Sequence, residues 1–187
     1  MPTKMNSPTV RSTTFARPQT HYRVDLAKEA FTFSAAHFIT FNGDICERLH
    51  GHNYAVRVSI SGPLDANRYV VDFIALKEAT LAITGYLDHH VLLPAQHKEI
   101  IVSSNLRETT VVFRERRWIF PKEDCLILPV VNTTAEELAW FILNQIRERT
   151  LGLFSDAVTE IEVAVDENQG QWGVCRSAWS LQTTHTD

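Results

Sequence analysis

The sequence predicts an α+β fold whose elements run strand, strand, helix, helix, strand, strand. Three observations carry that expectation. Two runs before residue 62 alternate with the period of a strand, two later stretches combine a helix cap with apolar residues at helical spacing, and two alternating runs close the chain. The first strand is Phe31-Thr-Phe33-Ser-Ala-Ala-His37, where the aromatics alternate. The second is Tyr54-Ala-Val56-Arg-Val58-Ser-Ile60, ended by the turn residues Ser61-Gly62-Pro63, and it is expected to pair antiparallel with the first.

Asp72 is placed to cap a helix from about Phe73 to Thr84, with Gly85 as its stop and Ile74, Leu76, Leu81 and Ile83 as its apolar bulk. A second helix begins at Thr133 or Thr134. Thr133 and Glu136 have the spacing of a capping box, and Leu138, Phe141, Ile142 and Ile146 mark the buried face. Ile161, Val163 and Val165 alternate in a third strand, and residues Trp172 to Leu181 form a fourth after the turn at Asn168-Gln-Gly170. Between Pro94 and Pro129, the clusters Ile100-Ile-Val102 and Val111-Val-Phe113 with the aromatic pair Trp118 and Phe120 predict an inserted hairpin, because a long structureless loop is improbable inside a domain.

The 187 residues are 44% hydrophobic and 21% charged, a globular composition. A chain of this length buries roughly 70% of its unfolded surface, so it needs no metal or disulfide staple and any metal is expected to be functional. Residues 1–22, rich in Ser, Thr and Pro with Lys4, Arg11 and Arg17, read as a flexible tail whose composition loosely resembles a transit segment; residues 23–187 read as a single domain. The net charge of −4, with scattered Lys and Arg, argues against nucleic-acid binding and points to a small-molecule partner. No apolar run approaches the ~18 residues of a membrane span. Cys46, Cys125 and Cys175 form an odd set without a C-x-x-C pair, which fits a reducing, cytoplasmic setting.

The chemistry concentrates in Cys46-Glu-Arg-Leu-His50-Gly-His52-Asn-Tyr54. Period two puts His50 and His52 on one strand face, and His37 reaches that face if the two strands pair. Three neutral imidazoles with an open fourth position are the donor set of a catalytic zinc, although a His-x-His pair alone is a weak signal and often marks ordinary histidines. Cys46 lies close enough for a metal to favour its thiolate and let it abstract a proton, whereas Cys125 and Cys175 sit in apolar runs and read as inert. Glu47 is an acid or base beside the same site, or simply a solvated loop residue. Asp88 is positioned to orient a neighbouring imidazole, and spacing does not choose between His89 and His90. Glu167, just past the third strand, is suited to bind an amidine edge through two parallel hydrogen bonds.

Taken together, Phe33-Ser-Ala-Ala-His37, Cys46-Glu-Arg-Leu-His50-Gly-His52-Asn-Tyr54, Val71-Asp72-Phe73, Leu87-Asp88-His89, Asn132-Thr-Thr134-Ala-Glu136 and Val165-Asp-Glu167 resemble the 6-pyruvoyltetrahydropterin synthase family, which includes 6-carboxytetrahydropterin synthase. The resemblance implies a tunnelling fold with a four-stranded antiparallel sheet and two helices on one face, assembled as a homo-trimer or homo-hexamer. It implies zinc on His37, His50 and His52, Cys46 as general base, Asp88 and His89 as proton relay, and Glu167 as anchor of the pterin amidine, with Thr134 and Ala135 beside the pterin. The implied substrate is 7,8-dihydroneopterin triphosphate. Two departures bear on substrate selection: Leu93 stands where the family commonly has Asn, and the insertion at about 94–129 is long. Cys46 matches the synthases, while Glu47 matches a subgroup that releases 6-hydroxymethyl-dihydropterin for folate synthesis. The leading expectation is a zinc-dependent carbon-oxygen lyase forming a 6-pyruvoyl- or 6-carboxy-tetrahydropterin; the alternatives are aldolase-like side-chain cleavage and a non-catalytic pterin-binding module.

Overall fold

A computed structural model describes residues 20–42, 45–154 and 157–179. Residues 1–19 of the tail expected at 1–22, and the strand end expected at Ser180 and Leu181, lie outside the described residues; Tyr22, the last residue of the expected tail, begins the first strand.

The first two strands pair antiparallel as the alternation predicts, and both are longer than the apolar runs alone indicate. β1 spans Tyr22–His37; after the two-residue strands β2 (Thr40–Phe41) and β3 (Ile45–Cys46), which pair with each other, β4 spans His50–Gly62. The register places Phe33 opposite Tyr54, Ala35 opposite His52 and His37 opposite His50, so the histidine motif lies within β4 rather than ahead of it.

α1 runs over Phe73–Leu87, and the Asp72 carboxylate accepts the N–H of Ile74 at 2.8 Å, as its capping chemistry requires. Gly85 does not end this helix. The fully buried Leu87 carries the last turn inward, and the Asp88 N–H closes it on the Thr84 carbonyl at 3.0 Å. Leu76 and Ile83 face the core as expected, but Ile74 and Leu81 are exposed.

Next come β5 (His90–Pro94), β6 (Ile100–Ser104), β7 (Glu108–Phe113), β8 (Arg116–Pro121), a 3-10 turn at Lys122–Asp124 and β9 (Cys125–Leu128). α2 follows at Ala135–Arg149, then β10 (Glu160–Asp166) and β11 (Trp172–Ala178). Two expectations are corrected here. The principal sheet has six strands rather than four, in the order β11-β10-β4-β1-β5-β9, and the insertion forms a three-stranded sheet, β6-β7-β8, rather than a hairpin. The four expected antiparallel strands are contiguous; β5 and β9 extend them in parallel, and of their short apolar runs Val91-Leu92-Leu93 and Leu126-Ile127-Leu128, Leu92, Leu93 and Leu128 are buried.

Both helices share one core cluster with the sheet: Leu76 and Ile83 from α1 and Leu138, Ile142 and Ile146 from α2 pack with Phe31, Val58, Ile60, Ile161 and Val163. Each fully buried side chain of this kind contributes about 1.5–3 kcal/mol. A second, smaller core joins Phe38 and Leu93 to Ile100, Val111 and Phe113, with Cys46 and Trp118 packed against it. Leu93 is thus a core residue that the inserted sheet requires, which gives an apolar side chain at that position a packing reason.

The cap of α2 is Thr134, whose hydroxyl accepts the Glu137 N–H at 3.4 Å, so the expected Thr133–Glu136 box is displaced by one residue. Thr133 is buried and its hydroxyl donates to the Phe38 carbonyl at 3.2 Å, leaving Thr134 to cap. The start of α2 lies directly on β11. A Cβ at Gly173 would stand 2.5 Å from the Ala135 carbonyl carbon and from the Glu136 nitrogen, so only glycine permits that approach.

Candidate metal centre and adjoining cavities

Cross-strand pairing puts His37 beside His50, and strand alternation adds His52 on the same face. The ring centroids lie 4.7 Å apart for His37 and His50, 4.8 Å for His50 and His52, and 5.3 Å for His37 and His52. With Glu167, the four side chains bring one ligand atom each to within 4.8 Å of one another.

Hydrogen bonds fix the tautomers. His37 Nδ1 stands 2.8 Å from the Thr133 carbonyl and His50 Nδ1 2.8 Å from the Arg48 carbonyl. A carbonyl only accepts, so both Nδ1 atoms carry the proton and both Nε2 atoms present a lone pair to the cluster. The Nε2 atoms of His37 and His52 are buried without a hydrogen-bond partner. Glu167 Oε1 sits 3.1 Å from His37 Nε2 and 3.4 Å from His52 Nε2. Two lone pairs facing each other at such a distance are repulsive unless a cation lies between them. Burial lowers His52, favouring the neutral ring that a metal binds. Three imidazole nitrogens with a carboxylate within reach match the chemistry of zinc, and the pinned Nδ1 protons are the usual orienting shell of metal-binding histidines.

Tyr54 closes the base of the cluster. Its ring stacks on Phe33 at 4.7 Å and meets His37 and His52 edge-on at 5.9 and 5.6 Å. Burial pushes its hydroxyl far above the ordinary tyrosine value, so it stays neutral.

Cys46 ends β3 half-buried, its thiol directed at the Glu47 carbonyl at 3.5 Å. Burial raises the thiol and the Arg116 charge opposes that rise. Glu47 reaches the cluster: its Oε2 lies 3.9 Å from His50 Nε2. At the end of α1, His89 Nδ1 lies 2.8 Å from Asp88 Oδ2, while His90 Nδ1 stands 2.7 Å from the Asp88 carbonyl. The carboxylate therefore partners His89, resolving the choice that spacing left open. Its other oxygen accepts the Ser34 N–H at 2.7 Å, and that bond, more than His89, keeps Asp88 below the usual range despite burial. His89 itself has a left-handed backbone, φ 59°, held by its N–H to the Ser34 carbonyl at 2.7 Å.

Two cavities flank the centre. One, of about 450 Å³, is lined by His52, Asn53, His89, His90 and Asp124. The other, of about 420 Å³, is lined by Thr134, Ala135, Glu167, Trp172 and Gly173. The structure thus gathers His37, His50, His52 and Glu167 at one point with Glu47 beside His50, places Thr134 and Ala135 along the second cavity with Glu167, and puts His89 in the first. Sequence reading missed Glu167 as a neighbour of the imidazoles, the Thr133 carbonyl that orients His37, and Arg116, which donates to the Cys46 and Glu47 carbonyls. A backbone carbonyl and a long-range cation leave no local sequence signature.

A mixed sheet that converges three imidazoles between ligand-sized cavities is an architecture suited to a metalloenzyme of small-molecule chemistry. The family profile of 6-pyruvoyl tetrahydropterin synthase matches residues 26–178. The chain is 36% identical over 146 residues to a provisionally named 6-carboxy-5,6,7,8-tetrahydropterin synthase of Methanocaldococcus jannaschii, covering 76% of this chain and 87% of that relative. The 6-pyruvoyl tetrahydropterin synthase of Plasmodium vivax superposes with a TM-score of 0.79 at 31% identity, covering 86% of this chain and 99% of the other. A catalytic-residue variant of the Plasmodium vivax enzyme, with glutamate replaced by alanine, superposes with the same TM-score at 30% identity and the same coverage. The chain belongs to the 6-pyruvoyl tetrahydropterin synthase family, a family of pterin-biosynthetic enzymes.

Proposed function

We propose that the chain is a zinc-dependent carbon-oxygen lyase that converts 7,8-dihydroneopterin triphosphate to a 6-pyruvoyl- or 6-carboxy-tetrahydropterin. The observation that carries the metal is the pair of partnerless Nε2 atoms on His37 and His52 facing the Glu167 carboxylate. His37, His50 and His52 would hold the ion, which supplies Lewis-acid polarisation of the substrate's side-chain hydroxyls. The chain's own residues do the rest. Glu167 shares a cavity with Thr134 and Ala135, where its carboxylate accepts from the amidine edge of a pterin. Cys46 takes a proton from the substrate side chain as triphosphate leaves, and the Asp88–His89 pair, its ring exposed to the neighbouring cavity, returns or removes a proton. The partner is a small molecule, and the functional unit is a homo-trimer or homo-hexamer that joins exposed sheet edges. No helix among the described residues is long and apolar enough to cross a membrane; with three free cysteines, a cytoplasmic setting is the fitting one.

A second reading has its own support. Glu47, not Cys46, is the group with a charged contact to the cluster, and the Plasmodium vivax neighbour is described with a catalytic glutamate. In that reading Glu47 drives side-chain cleavage to 6-hydroxymethyl-dihydropterin. Incubating zinc-loaded protein with 7,8-dihydroneopterin triphosphate and analysing products separates the cases. A pyruvoyl product with released triphosphate, or a carboxy product with released triphosphate and a two-carbon aldehyde, is expected. Hydroxymethyl-dihydropterin alone would establish the second reading, and tight binding without turnover would reduce the chain to a pterin-binding module.

A further inference from the structure

The inserted sheet reaches the backbone of the reacting segment through the Arg116 side chain. Arg116, the first residue of β8, donates from Nη1 to the Cys46 carbonyl at 2.7 Å and from Nη2 to the Glu47 carbonyl at 3.0 Å. We propose that Arg116 is a positioning residue: its planar fork fixes the Cys46–Glu47 peptide, so that the insertion sets where the thiol and the carboxylate stand relative to the histidine cluster. The inference deepens the lyase reading and rests on it for the identity of the reacting groups.

Rigidity on the insertion side supports this role. The Arg116 guanidinium lies 4.6 Å over the Trp118 ring, and Trp118 stacks on Phe38 at 4.7 Å and 17°, directly after the ligand His37. Behind it, Arg114 pairs with Glu99 at 3.2 Å across the start of the inserted sheet. The reacting segment has little else to hold it: β3 is two residues long, Cys46 pairs with Thr40, and the Glu47 N–H donates to the Ile39 carbonyl at 3.0 Å. Thr40 is in turn tied to the insertion, its hydroxyl 2.8 Å from His97 Nε2. Both faces of the segment therefore lean on residues 97–118.

Arginine is suited to this and lysine is not. Two adjacent carbonyls match the two arms of a guanidinium, whereas an ammonium satisfies one of them at a time. With each Nη atom engaged by a backbone carbonyl, Arg116 serves the segment rather than a substrate phosphate. That distinction is readable in kinetics, since a substrate-binding arginine changes KM and a positioning one changes kcat.

The test uses full-length zinc-loaded protein, wild type, Arg116→Ala and Arg116→Lys. For Arg116→Ala with 7,8-dihydroneopterin triphosphate, kcat is expected to fall about 10- to 100-fold, the scale of an ångström-sized misplacement, with KM changed by no more than about threefold. Zinc stoichiometry should hold, millimolar guanidinium should restore part of kcat, and Arg116→Lys should fall between. Independently of turnover, hydrogen exchange should accelerate in the peptide carrying Cys46 and Glu47 and stay unchanged in β10. Unchanged exchange and unchanged kcat would overturn the proposal, as would a raised KM at constant kcat. If the wild type shows no turnover, the lyase reading fails, and the exchange measurement still decides whether Arg116 holds the segment.

Discussion

Gly173→Ala tests how the second cavity is built. The added methyl would stand 2.5 Å from the Ala135 carbonyl carbon and the Glu136 nitrogen and 2.7 Å from Ala135 Cβ. Ordinary contact begins near 3.4 Å, so α2 must retreat from β11 by about 0.9 Å, the difference between 3.4 and 2.5. The two closest of these three atoms belong to the backbone at the start of a helix, which cannot turn aside as a side chain would. Overpacking of this kind costs about 1–3 kcal/mol, and at about 2–4 °C per kcal/mol for a chain of this size the melting temperature should fall by about 2–12 °C. The function should suffer in step. The retreating segment begins next to Thr133, whose carbonyl holds His37 Nδ1 at 2.8 Å; losing such an orienting bond lowers metal affinity about 10- to 100-fold. Thermal denaturation and competition with a zinc chelator measure the two effects. A variant that melts within about 1 °C of wild type, well under the expected fall, and keeps its zinc affinity would refute the claim that Gly173 seats the helix and, through it, His37.

Three further outcomes are expected. If the wild type forms both products, Cys46→Ala should cut the pyruvoyl- or carboxy-type product by about 100-fold or more, the scale of a lost general base, while retaining some hydroxymethyl-dihydropterin formation; Glu47→Ala should do the reverse, and product ratios equal to wild type in both variants would end that division. Glu162, with both Arg23 and Arg176 on its carboxylate, tests the acid limb of stability. Burial pushes its carboxyl up, but the two arginines overrule burial and depress it, so its contribution is present above the unfolded carboxylate range and is lost as pH falls through the folded value. Glu162→Gln should lose about 1–3 kcal/mol at neutral pH, between an exposed and a fully buried pair because both arginines remain partly solvated, and unfolding in urea across pH 3–7 should show the gap closing at the acid end. Light scattering should give a trimer or hexamer, and an active monomer would remove the shared-edge assembly.

The strands that carry the histidines were legible because alternation and pairing are local rules: once β1 and β4 pair in register, His37, His50 and His52 have no choice but to converge. The Asp72 cap was equally readable, being a contact two residues long. What failed was non-local. Gly85 has the composition of a stop, yet burial of Leu87 outweighs it; Thr133 fits a cap, yet its hydroxyl is claimed by Phe38 from β1's end. β5 and β9 gave no periodic signal, since continuous apolar runs this short show none. Asp88 could be assigned to His89 only once the Ser34 backbone had bound both residues.

The central claim is that the Nε2 atoms of His37, His50 and His52 converge on one zinc ion. Anomalous diffraction at the zinc edge, from crystals grown with zinc, tests it most directly. The expected result is one peak per chain at about 2.0–2.1 Å from all three Nε2 atoms, with the His37 and His50 Nδ1 atoms still on the Thr133 and Arg48 carbonyls. A chain with no peak at this cluster, or one whose zinc sits on other side chains, would contradict the account.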